Sequence, residues 1–395
     1  MTDVVAFLAA LASGAPVIKV SGRVEGLPSF SLQPGQVIVG DGDTAGLAFA
    51  ADGIVLTANN TISGLALLCP AECCALRIAA DAACGRIALA DLHCEGIVHL
   101  VFTAANGDTV LYLRNLFVSD ADASACLPRP FGNGVEVQQG ALTIWNRSET
   151  DTTIAVDARG LRIGDAGKPV RGTGLFVAGQ GETGRGKVVL ERFETGDVHS
   201  DSGLPEGTTQ TVSGGIFFLF GVEGDEVGTI GDVSTRGANA VPIDTWARLG
   251  LWTVDGNVRS FGPSAVGFVN AGDLGTCKIT GTLETFGDGA RACCIYGPTG
   301  SFVADTIRTH GRAATGVQVV NRLERLQVRS GLFTAGDAGE GLVKGRMVAT
   351  PAHGVEVEAG GYLGELDSGV IEATGRDALA VHVEGTLGAI VRPRL

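Results

Sequence analysis

Three carboxylates and two aromatic residues are the groups in this chain best suited to chemistry. Asp201 and Glu206 lie in a polar stretch, ETGDVHSDSGLPEGTTQTVSG (194–214), that also carries Glu194, Asp197 and His199. Asp244, Trp246 and Arg248 follow it, and Tyr296 lies further on. Paired carboxylates perform glycoside chemistry as acid and base or as acid and nucleophile. A Trp and a Tyr beside them supply flat rings for a sugar face. On this reading Asp201, Glu206 and Asp244 are catalytic, while Asp197, His199, Trp246, Arg248 and Tyr296 hold substrate. Two carboxylates can hydrolyse a glycoside unaided, so no cofactor and no metal is called for. The plainer reading is that a polar loop is simply solvated and that a lone His is hydrogen-bonded scaffold.

These residues need elements to position them, and a repeat supplies those elements. The phrase STRGANA recurs as RSFGPSA, ETFGDGA, RTHGRAA, FTAGDAG and EATGRDA. Its glycine falls at Gly237, Gly262, Gly287, Gly311, Gly336 and Gly375, so the spacing is 25, 25, 24, 25 and 39 residues. A period near 25 with β-type residues predicts one coil of short strands per repeat. The glycine is expected to turn the chain with positive φ, and the small residue three positions on (Ala240, Ala265, Ala290) to fill a corner. Aligned on the glycine, Asp244, Val269, Cys294, Gln318 and His382 form one column. Trp246, Ala271 and Tyr296 form a second column two residues along, hence on the same face of a strand. If Ile243 points inward, that face is outward. The long interval predicts an insertion over 340–351, and the polar stretch 194–214 reads as a second excursion.

The first half carries the same short apolar runs between Gly, Asn and Asp turns, as in GDGDTAGLAFAADGIVLTANNTISGLAL (40–67). That stretch resembles the early coils of pectate-lyase-like right-handed parallel β-helix proteins. The resemblance implies an all-β fold, a single-stranded right-handed parallel β-helix (solenoid), with function on one outward sheet face walled by loops. It carries no catalytic residues across. The Trp-Ile-Asp-His and Arg-Pro-x-x-Arg phrases of pectate lyases are absent. So are the Asn-Thr-Asp, Asp-Asp, Gly-His and Arg-Ile-Lys phrases of polygalacturonases. The expected organisation is one domain over 1–395. It comprises a cap helix in 1–15 (Thr2 or Asp3 capping, Gly14 and Pro16 stopping it), irregular coils over 16–190 and regular coils over 191–395.

Composition narrows the partners. Hydrophobic residues are 45% but aromatics only 6%, so small and β-branched side chains must build the core. A net charge of −14 argues against nucleic acid and anionic membranes as partners, because both require a basic surface. Nine cysteines, an odd number with two vicinal pairs, do not resemble a secreted disulfide framework, so a cytoplasmic protein is expected. Cys69, Cys73, Cys74, Cys84 and Cys94, near His93 and His99, lack the Cys-x-x-Cys spacing of a zinc site. They read as buried packing. His199, His310, His353 and His382 are expected to be scattered. The competing functional reading is a non-catalytic binding or assembly solenoid, a homo-oligomer such as a trimer. The run Ile216–Phe220 supports it, because five successive apolar residues of a strand cannot all face inward.

Overall fold

The computed structural model describes residues 3–181, 184–343 and 346–391. The chain is all-β apart from one N-terminal helix, Val4–Ala12, and a single 3₁₀ turn among the described residues. Asp3 caps the helix by accepting the Ala6 N–H at 2.9 Å. Thr2, the other expected cap, lies outside the described residues. Phe7 and Leu11 bury the helix against the first strands, where Phe7 meets Phe30 at 5.5 Å between ring centres.

Two large parallel sheets, each built from strands taken in sequence order, make up most of the rest. The pairing offset reproduces the period of the sequence. Arg248 pairs with Asp273, Leu274 with Thr299, and Leu363 with Leu387. In the first sheet the strand Asp273–Thr285 spans the length of two strands in the preceding repeat, Arg248–Asp255 and Val258–Ser260. The second sheet takes one shorter strand per repeat, such as Ala240–Thr245 and Val266–Asn270.

Alternation along these short strands sorts side chains into two columns. Ile243, Phe268, Cys293, Val317 and Val355 are stacked partners facing the interior between the sheets. Their neighbours Asp244, Val269, Cys294, Gln318, Glu356 and His382 are stacked partners facing outward. The interior is filled by aliphatic side chains and a few rings. Trp252 is wholly buried there, edge-on to Phe218 at 5.0 Å.

The repeat phrase has a steric basis different from the expected one. A Cβ on Gly262 would stand 1.6 Å from the Gly237 carbonyl oxygen, and one on Gly287 2.1 Å from that of Gly262. The glycines are therefore required mainly because one turn rests on the next. Positive φ occurs at Gly237 itself, as expected, but otherwise falls two residues after the repeat glycine, at Ser264, Gly289, Ala313 and Asp377, and Asn239 has it as well. The residue two before the glycine adds a buried hydroxyl. Thr309 donates to the Ala314 carbonyl at 2.6 Å and Thr334 to that of Ala352 at 2.8 Å. Ala240, Ala265 and Ala290 fill the corner, fully buried.

Both expected excursions differ in detail. The polar stretch from 194 begins inside a strand, Lys187–Asp201, and leaves the sheet only after Asp201. Its polar residues are the solvent-facing and hydroxyl-paired positions of that strand; Thr195, for example, bonds Thr229 at 3.0 Å. The later insertion is an antiparallel hairpin, Gly339–Val343 with Arg346–Thr350.

Candidate functional site

Three excursions converge over the outward face of the second sheet. One is the segment around Phe131–Val137, whose Glu136 and Val137 pair with Thr211 and Val212. The second is the loop after Asp201, and the third is the hairpin 339–350. Beneath them lies an apolar cluster outside the sheet: Trp145, Phe176, Phe217, Leu219, Val241, Trp246, Val266 and Val269. The run Ile216–Phe220 resolves here. Ile216 and Phe218 point into the interior, while Phe217, Leu219 and Phe220 belong to this outer cluster. Gly132 passes so close that a Cβ on it would stand 2.6 Å from the rings of both Phe220 and Trp246.

The groove between the excursions has two parts. The outer part, about 480 Å³, is bordered by Glu206, Asp288, Arg312, Glu340 and Met347. The inner part, about 80 Å³, has Asp244, Trp246, Arg291 and Tyr296 among walls of Val241, Val266, Val269 and Leu342. Asn239 and Ser264 border both, so the two parts adjoin.

Asp244 is the unusual group on the floor. It is 3% exposed, stacked between Phe217 and Val269, and its Oδ1 is buried without a hydrogen-bond partner. Burial pushes its carboxyl well above the usual carboxylate range, and hydrogen bonds from the Trp246 side chain and the Thr245 backbone do not offset this. Such a carboxyl keeps its proton to a higher pH than an ordinary Asp. It can donate a hydrogen bond or a proton to whatever enters the groove.

Of the eight residues marked in the sequence, the groove brings together Asp244, Trp246 and Tyr296, with Glu206 at the mouth. The other four lie on the first sheet. Asp197 accepts from the Asp232 backbone at 2.9 Å. The His199 imidazole meets the Ser234 hydroxyl at 2.7 Å, and burial lowers its pKa. Asp201 accepts from the Gly203 N–H at 2.9 Å. Arg248 pairs with Glu223 at 2.7 Å. They separate from the groove because the strands carrying them, Lys187–Asp201 and Arg248–Asp255, belong to the first sheet. Trp246 has the outward phase expected of it but is only 5% exposed, packed on Phe220 at 4.9 Å. It shapes the floor and presents no open stacking face.

Arg291 is the groove residue that sequence reasoning missed; Gln318, already in the outward column, holds it from behind. Arg291 donates to the Tyr296 hydroxyl at 3.0 Å and to Gln318 Oε1 at 2.7 Å. Gln318 passes the network on to Glu356 and Glu358, at 3.2 and 2.6 Å. The available signal was a single cation in an otherwise apolar strand, Arg291–Ile295.

One group of residues offers metal ligands within 4.8 Å of one another: His353, Glu356 and His382. The two histidines, far apart in sequence, stack at 4.6 Å between ring centres instead of being scattered. His353 Nδ1 already accepts the Leu379 N–H at 3.0 Å, which leaves the ring proton of the neutral form on Nε2. The two rings stack, while His382 Nδ1 is buried without a hydrogen-bond partner, 4.0 Å from Glu356 Oε1. The early cysteines are free thiols. Burial pushes Cys69 and Cys74 up to about 12 and Cys84 to about 11, which makes them poor nucleophiles. His93 stacks on Phe117, and His99 bonds Gln139 at 2.6 Å.

No described helix is long and apolar enough to cross a membrane. In comparisons with known proteins, no family model, no curated protein and no solved structure matches this chain.

Proposed function

We propose that this chain is a carbohydrate-active enzyme (a glycoside hydrolase, lyase or intramolecular transferase) built on a single-stranded right-handed parallel β-helix. The solenoid reading is supported by the sequential parallel pairing, at an offset of about 25 residues over the regular repeats of the second half, with the N-terminal helix covering the first strands. The functional reading rests on one observation. A buried carboxyl with an unpartnered oxygen, Asp244, whose burial favours the protonated form, sits on the floor of a groove walled by three separate excursions. Asp244 is the proposed acid and Glu206, at the mouth, the proposed second carboxylate. Tyr296 orients the substrate, and the acids of the rim favour a neutral or weakly charged oligosaccharide. Free cysteines throughout fit a reducing compartment such as the cytoplasm.

The test is a screen of neutral oligosaccharides with the wild-type chain, Asp244→Asn and Glu206→Gln. Removing a general acid or base should lower turnover by roughly 10²-fold or more. Turnover that is equal in all three proteins, or absent throughout, would sink this assignment.

A specific feature also favours assembly. Phe261 and Phe286 are 45% and 38% exposed and stack with His310 into a strip, at 4.9 and 4.8 Å between ring centres. An exposed aromatic strip along a corner of the repeat suits association of copies into an oligomer such as a trimer. Sedimentation of the wild type against Phe261→Ser/Phe286→Ser decides it, because an unchanged mass excludes this strip as the contact.

A further inference from the structure

The inner end of the groove holds a buried cation, Arg291, that feels the charge of Glu358 but touches no carboxylate among the described residues. Arg291 is 4% exposed. Its Nη1 uses both of its N–H groups, on the Tyr296 hydroxyl and Gln318 Oε1, and Nη2 uses one, on the Leu342 carbonyl at 2.6 Å. All three acceptors are neutral. The Nε–H is buried without a partner, and Nη2 keeps a second N–H. Among the described residues, no carboxylate lies within 4.0 Å of the guanidinium. Glu356 and Glu358 are bonded to the far end of Gln318, one side chain away. An unpaired buried cation is strongly unfavourable unless something of opposite charge joins it.

The surroundings restrict what that group can be. Val241 and Val266 belong to the same outward series of the second sheet, and Val266 is the direct strand partner of Arg291. With Val269 and Leu342 they make the walls apolar and the space small, about 80 Å³. Water exclusion strengthens attraction to the cation. The remaining Nε–H and Nη2 N–H match the two oxygens of a planar carboxylate. Acids at the rim and behind Gln318 disfavour a dianion such as phosphate.

We propose that this end of the groove binds a carboxylate carried on a small apolar body, gripped by Arg291 and seated against Val241, Val266, Val269 and Leu342. The inference rests on reading the groove as a ligand site. It adds the group that the ligand must place there, and it holds whether or not the rest of the ligand is a sugar.

The experiment titrates the full-length chain with isobutyrate and with its neutral isostere isobutyramide, followed by calorimetry and ligand-observed NMR at neutral pH. The acid should bind and the amide should bind at least about tenfold more weakly, as expected for loss of a charge-assisted pair. Arg291→Gln should weaken the acid by a similar factor and leave the amide unchanged. If that variant fails to melt cooperatively, the acid–amide pair on the wild type and a cavity-filling Val269→Phe variant, which should abolish binding, decide the matter. Equal binding of acid and amide, no binding of isobutyrate, or full binding by a folded Arg291→Gln chain would overturn the proposal. The two readings part cleanly. Isobutyrate binding without any oligosaccharide turnover sinks the enzyme reading alone. Turnover with no isobutyrate binding sinks this one alone.

Discussion

The outward faces of the two sheets follow the same alternation and end in opposite states. On the first sheet, outward residues form ladders of paired charge, most of it reaching solvent. Lys187 and Arg248 flank Glu223, Arg259 lies between Asp232 and Glu284, and Arg325 reaches Glu365 and Asp367. On the second sheet, the corresponding positions are Phe176, Phe217, Asp244, Val269 and Cys294, all buried. The difference comes from the chain between strands. The segment around 131–137, the loop after 201 and the hairpin 339–350 all fold over the second sheet. Once roofed, outward residues become a second core, and the polar ones among them, Asp244 and Arg291, lose water without gaining full partners.

This contrast can be broken by measurement. The largest effect should come from the interior common to both sheets. Trp252→Ala should cost about 3–5 kcal/mol in denaturant melts. If the roof seals a second core, Phe217→Ala should approach that figure, at about 3 kcal/mol or more. A loss below about 1 kcal/mol would mean that the roof admits water.

Asp244→Asn should act through pH. In the wild type the folded chain holds this proton to a higher pH than the unfolded chain does. Its contribution is therefore fully present below the ordinary Asp range near 3.9 and is lost as pH rises through the folded pKa. The Asn variant should lack that decline, and its advantage in urea melts should grow from acid to neutral pH. Parallel curves would refute the buried-acid assignment. The smallest effect belongs to the open face. Glu223 is partly exposed between two cations, so Glu223→Gln should cost no more than about 1 kcal/mol, and less at high salt.

Much of the local order was legible because it depends on near neighbours along the chain. The glycine period marked the pairing offset, and aligning on it put Asp244, Val269, Cys294 and Gln318 in their true column. The same phase placed Trp246 beside Tyr296 on the outward side. What stayed hidden was set by residues far away in sequence. Nothing near Trp246 announces that Gly132 and Phe220 cover it, so it was read as an open sugar platform. Asp197, His199 and Asp201 read as loop residues in the sequence because solvent-facing strand positions and loops are equally polar. Arg248 was grouped with Trp246, yet the chain passes from one sheet to the other between them. The role of the repeat glycine is only partly legible, because close packing of backbones and positive φ both select glycine: Gly237 has both, Gly262 and Gly287 only the first.

The hairpin at 339–350 also bears on how the chain reaches this structure. Arg322 pairs with Tyr362, 40 residues on, where neighbouring repeats close after about 25. Lengthening a closed loop costs only about 0.6 kcal/mol per doubling, so this detour adds a few tenths of a kcal/mol to closure. Apart from such detours, ladder partners stay close along the chain, which keeps the range of native contacts short relative to its length. Zippering can then start at several points and spread, and the extra arm can be appended without a new nucleus. The roof segments, which must find one another across long separations, are the parts expected to lock in last.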